Sequence, residues 1–154
     1  ATAVRDRITE ILAAKRQMHP DLHVLSGLAL GAETLGAEAA LDAGVPLVAV
    51  QPFPDPDAMW PRASRDHYAR LLDRAAHRLL LERAVPDSKM KVAGALARRD
   101  GWLTRQADEA LVVWDGRDPA LGKLVRNLED RLGEDVWIVA PAEVAPEDKP
   151  TLFG

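Results

Sequence analysis

The chain has 154 residues, 47% of them hydrophobic and 29% charged, with a formal net charge of -4. That length and balance fit one globular domain with its own core, exclude a disordered chain, and argue against a dedicated nucleic-acid binder. The absence of cysteine excludes disulfides and thiolate metal sites, and no apolar run approaches the roughly 20 residues of a membrane span.

Val4, Ile8, Ile11 and Leu12 recur at helical spacing, so residues 3–17 are expected to form an amphipathic helix that ends before Pro20. Residues 22–26 follow as a short buried strand. Residues 32–43 have a helical pattern closed by Gly44. "PLVAVQ", residues 46–51, is a second buried strand. The next thirteen residues, "PFPDPDAMWPRAS", hold four prolines and form a loop. Residues 63–76 are expected as a helix with Tyr68, Leu71 and Leu72 inward, and residues 77–81 as a weak third strand. Pro86 and Asp87 make a turn. A long helix over residues 88–106 is expected to face inward with Met90, Ala93, Leu96, Ala97 and Leu103. "EALVVW", residues 109–114, is the fourth strand. Asp118-Pro119 pairs an N-cap with proline at the first helical position. Leu121, Leu124, Val125, Leu128 and Leu132 give the following helix its stripe, and Gly133 stops it. "DVWIV", residues 135–139, is the fifth strand.

Helices alternating with strands that are apolar on both faces imply a parallel sheet covered on both sides. The expected fold is α/β, Rossmann-like and doubly wound, over residues 1–140, with residues 141–154 as a C-terminal tail. The order opens on a helix, whereas a doubly wound fold begins on a central strand. The expectation is that the first strand is missing from this chain, which would then be a piece of something longer.

Gly27, Gly31 and Gly36 raise the functional question. Gly27 and Gly31 stand where the first strand gives way to a helix. Ligands of open α/β sheets sit beyond the carboxyl ends of the strands, and a helix N-terminus there offers free N–H groups to an anion. Ser26 and Thr34 add hydroxyls. Glu33 complements the helix dipole and repels a phosphate beside it, but can accept hydrogen bonds from ribose. The alternative is that the glycines only permit a tight turn and close helix–sheet packing.

"SGLALGAETLGAEAALDAGVPLVAVQPF", "MWPRASRDHYARLL" and "RRDGWLTRQADEALVVWDG" together resemble the SLOG superfamily. This Rossmann-like group includes the DNA-processing protein A family and the "lonely guy" phosphoribohydrolases. The resemblance covers residues 22–116 and implies binding or sensing of a nucleotide or nucleotide-derived ligand, ADP-ribose-like compounds included. It implies that Ser26, Gly27, Gly31 and Glu33 line the phosphate and ribose side, with Thr34 nearby. Pro52 and Phe53 would form the base side, Asp115 and Gly116 the far wall, and Arg99 a helix arginine near the pocket. The departures are specific. Glu33 stands where the family often has aspartate, and "RDPALGKLVRN" replaces a second glycine-threonine loop. The "GGxGT" stretch of the phosphoribohydrolases is absent, so that activity is not expected and no catalytic residue is assigned.

Other features have plainer readings. Trp137, in a strand, is expected in the core, and Trp60 is expected to pack its loop down. Trp114, at a strand end, suits either packing or the cleft. Asp55 and Asp57 favour a turn more simply than a metal site. His19 and His23 are separated by Pro20, so no metal site is expected. Arg83, Lys89, Lys91, Arg98 and Arg99 form a basic cluster with a solvated face or a phosphate contact as its two readings. Two alternatives to ligand binding stand beside it: a non-catalytic interaction or oligomerisation module with a degenerate pocket, and single-stranded DNA binding. A homodimer through the helix of residues 119–132 and a cytoplasmic location complete the expectations. No membrane association and no metal are expected.

Overall fold

A computed structural model describes residues 2–141. Ten elements alternate along the chain: α1 (Thr2–Met18), β1 (Val24–Ser26), α2 (Ala32–Asp42), β2 (Leu47–Gln51), α3 (Arg62–Arg74), β3 (His77–Leu80), α4 (Lys89–Gln106), β4 (Ala110–Val113), α5 (Pro119–Leu132) and β5 (Val136–Val139). All ten expected elements are present, within a few residues of their expected bounds. The expected tail, residues 141–154, lies outside the described residues except for Pro141.

Every strand pair is parallel. One sheet has the order β1-β2-β3 and a second pairs β4 with β5. This is a mixed α/β, Rossmann-like architecture, with its strands divided between two sheets. β2 is the central strand of the first sheet, and Leu47, Val48, Ala49 and Val50 are all buried. Such an uninterrupted apolar run is what a strand covered on both faces requires.

Val4, Ile8 and Leu12 of α1 pack with Ala39 and Ala40 of α2, and with Val24, Leu111 and Val113 of the strands. Tyr68 and Leu71 of α3 pack against Leu47 and Ala49. Val125 and Leu128 of α5 meet Val112. Leu111 and Val113 therefore face α1 while Val112 faces α5, so helices cover opposite faces of β4. The alanines of α2 let it lie close to its neighbours.

Helix ends follow the sequence signals. Asp118 accepts hydrogen bonds from the N–H groups of Ala120 (2.9 Å) and Leu121 (3.4 Å), with Pro119 in the first turn. Gly44 and Gly133 have φ of 71° and 62°, a conformation in which a side chain would be strained. Ser88 caps α4 by accepting from Lys91 N–H at 3.2 Å.

Two expectations about facing are corrected. α4 turns Ala95 and Arg99 inward, while Met90 is 85% exposed and Ala93 and Ala97 are exposed. The inward face is the one that carries Arg99, whose guanidinium meets Gly27 in the loop after β1. Trp137 is 44% exposed rather than core. β5 pairs only with β4, and the Trp137 ring lies under Lys15 Nζ at 4.0 Å while its N–H donates to Glu109 at 3.3 Å. The apolar stripe of α5 faces the core as expected, with Val125 and Leu128 buried, Leu121 and Leu132 half-buried, and Leu124 37% exposed.

Candidate functional site

The loop after β1 begins at a buried serine. Ser26 Oγ donates to the Glu33 carbonyl and accepts from Leu28 N–H, both at 3.0 Å. One hydroxyl thereby ties the strand end to the first turn of α2. Leu28 takes φ of 56° and is 1% exposed. The core contact of its side chain holds a backbone that a non-glycine residue rarely adopts.

Gly27 and Gly31 serve different purposes. Gly31 has φ of 97°, and nothing lies within 4 Å of where its side chain would stand. It is a turn glycine. At Gly27 an added Cβ would lie 2.7 Å from Arg99 Nε and 2.9 Å from Arg99 Cζ. Something does come close to that backbone, and it is the guanidinium of a helix 72 residues further along the chain.

Arg99 is 6% exposed. Its Nη1 donates to the Gly27 carbonyl at 3.4 Å, and its Nε and Nη2 donate to one oxygen of Asp100 at 3.1 and 3.0 Å. Glu33 Oε2 stands 3.9 Å from Nη2, while Glu33 Oε1 accepts from Gly27 N–H at 3.0 Å. A buried cation needs such partners. Burial pushes the Glu33 carboxyl above its ordinary pKa, outweighing the opposing pull of Arg99 and the Gly27 N–H.

The structure therefore brings Ser26, Gly27, Gly31, Glu33, Thr34 and Arg99 to one loop. Thr34 is buried and its hydroxyl donates to the Gly31 carbonyl at 2.8 Å. Gly31 is the N-cap of α2 and provides no side-chain cap, so the first amides of that helix carry none. Pro52 and Phe53 are buried and present no open face for a base. Asp115 accepts from the N–H groups of Arg117 (2.7 Å) and Asp118 (3.1 Å), which hold its carboxyl below the ordinary range. Its carboxylate thus closes its own turn, with Gly116 at φ of 83° beside it. Asp100 was not singled out from the sequence. Its one signal was adjacency to Arg99 within "RRDG".

The remaining features take structural roles. Trp60 meets Tyr68 edge-on at 5.5 Å, and Trp114 donates to the Asp118 carbonyl at 3.1 Å while packing over Gly122. Burial pushes the Tyr68 hydroxyl pKa up to about 12. Asp55 has φ of 50° and the turn from Asp55 to Ala58 closes at 3.2 Å. Arg98 makes two 2.9 Å hydrogen bonds to Glu82 at the surface. Among the described residues no group of three or more His, Cys, Asp or Glu side chains is placed to hold a metal. No described helix is long and apolar enough to cross a membrane. An open cavity of about 230 Å³ lies away from the loop, lined by Arg5, Glu38, Asp42, His67, Arg70 and Arg74 among others. No protein-family description and no curated protein matches this chain.

Proposed function

We propose that the loop between β1 and α2 binds the anionic part of a nucleotide or nucleotide-derived ligand. The observation that carries this reading is the carboxylate of Glu33 on the Gly27 amide, with Arg99 buried behind it. An anion already occupies the position that the glycine N–H and the guanidinium create together. The uncapped first turn of α2 offers further N–H groups beside it, and helix N-termini favour negative charge. The SLOG-like residue pattern agrees with this placement. Glu33 lies between two roles: it keeps the empty loop satisfied, and it accepts from sugar hydroxyls once a phosphate takes the helix end.

A thermal-shift screen with AMP, ADP, ADP-ribose, NAD and cyclic nucleotides tests the proposal. A ligand at about 100 times its Kd adds about 2.7 kcal/mol to the folded state. The expected result is a rise in Tm with at least one compound, lost in Gly31→Asp. A flat screen across all of them defeats the reading.

The second reading is an interaction module whose pocket has closed. The buried Pro52 and Phe53 and the self-satisfied Asp115 favour it. A flat screen combined with a partner that protects the loop from exchange would support that alternative.

A further inference from the structure

β1 and β4 each have one paired side and one open side. Val24 N–H donates to the Pro46 carbonyl at 3.0 Å, so Val24 and Ser26 turn their backbone groups toward β2 and Leu25 turns its own away. Ala110 N–H donates to Asp135 at 2.9 Å and Trp114 N–H to Val139 at 3.1 Å. Leu111 and Val113, between them, therefore face away from β5. No backbone hydrogen bond joins β1 to β4 among the described residues, and the N–H groups of Leu25, Leu111 and Val113 have no partner there. All three residues are half-buried. Leaving such groups unpaired in a partly dry place is costly.

Natural edges are blunted by charge, proline or bulges. β3 fits that rule, with His77 and Arg78 and every residue exposed. β1 (Val-Leu-Ser) and β4 (Ala-Leu-Val-Val) carry no such feature. One helix bridges them: Val4, Ile8 and Leu12 of α1 pack on Val24 from β1 and on Leu111 and Val113 from β4. α1 leads into the start of β1, so it runs against the strands and begins at their carboxyl end. A strand between β1 and β4, parallel to both, would end beside the first turn of α1. Strand, α1 and β1 would then form a βαβ unit with a short connection.

We propose that the space between β1 and β4 is a strand slot. Its occupant is an apolar, extended segment of about four residues, as long as β4, joined covalently to the N-terminus of α1. It lies parallel to both neighbours and merges the two sheets into one, with the order β3-β2-β1-slot-β4-β5. Helices on both faces demand apolar side chains in both directions. Residues 141–154 are a poor occupant: their two proline-free runs of four, AEVA and TLFG, bring a glutamate and a threonine with glycine where apolar residues are needed, and they follow β5 rather than lead into α1.

Amide hydrogen exchange tests the slot. The chain is measured as it is, with a Val-Ile-Val-Ile-Val segment and a Gly-Ser-Gly loop placed ahead of Ala1, and with the same extension carrying proline at its centre. The segment is also added as a free peptide. The expected result is exchange at Leu25, Leu111 and Val113 about 100-fold faster than at Ser26 and Val112 in the unextended chain. The extension slows those three amides by about 100-fold and raises Tm, and the proline version does neither. If the unextended chain is too loose to protect Ser26 and Val112, rescue by the extension alone supports the proposal. Four results overturn it. These are protection of the three amides in the unextended monomer, protection that appears only as protein concentration rises, an extended chain no better protected than its proline control, and a free peptide that protects better than the extension.

Discussion

The loops after β1 and β4 make an instructive pair. Both follow a parallel strand, both contain a positive-φ glycine, and both use a carboxylate on backbone N–H groups. The Asp115 loop is exposed and closes on residues two and three positions away. The Glu33 loop is partly buried and depends on Arg99, which reaches Gly27 across 72 residues. A local turn satisfies its own polar groups wherever the chain places it. A buried loop needs a partner that only the tertiary fold can deliver. The proposed anion-binding role suits the second kind, since tertiary contacts fix its donors in place.

The largest expected effect tests that dependence. Arg99→Met leaves the Gly27 carbonyl, Asp100 and Glu33 without their cation, and should cost about 2–3 kcal/mol in urea unfolding. The lower part of the range for a buried charge applies because Asp100 and Glu33 keep some solvent. Gly27→Ala should follow closely, at about 2 kcal/mol, because its Cβ would lie 2.7 Å from Arg99 Nε. The double variant should be less destabilised than the sum, since a methionine, freed of the hydrogen bonds that fix the guanidinium, can move off the added Cβ. Additive effects would show that the two loops do not differ in the way described. Gly116→Ala is the matching change in the exposed loop. Nothing lies within 4 Å of its Cβ position, so only the positive φ of 83° resists it, at about 1 kcal/mol and with no coupling to Arg99.

Asp118→Ala removes the cap of α5 and should cost about 1 kcal/mol, measured by the same unfolding. The smallest effects are in pH, and their signs are opposite in the two loops. The Glu33 carboxyl is raised in the folded state, so the fold binds its proton more tightly than the unfolded chain does. Its contribution is fully present below the unfolded value of about 4.3 and is lost as pH rises through the higher folded value. Asp115 is lowered, so its contribution is present above about 3.9 and is lost as pH falls through the lower folded value. Chemical unfolding from pH 3 to 7 of the parent, Glu33→Gln and Asp115→Asn should show each slope removed separately. A Glu33→Gln profile parallel to the parent would break the comparison.

Much of the fold was legible because its signals are local. Asp118-Pro119 and Gly133 bound α5 in the sequence as they do in the structure. The buried run of β2 read as a covered strand without further help. Facing was less legible where the apolar pattern was weak. Met90, Ala93 and Ala97 offered one stripe on α4, and the structure used the one through Ala95 and Arg99. Trp137 is large and apolar, yet it lies on a strand paired on one side only, where Lys15 covers its ring. Of the candidate site, the residues around Gly27 and Gly31 come together, whereas Pro52, Phe53 and Asp115 are spent on packing and on a turn.

The sequence by itself determined the alternation of helices and strands, the helix ends and the turn at Gly31. Those features depend on periodicity and on contacts within a few residues. Tertiary structure alone decided that Arg99 would fill the space over Gly27, that Glu33 would take its amide, and that α1 would pack on both β1 and β4, which belong to separate sheets. Each of these depends on groups far apart in the chain, whose meeting no local pattern records.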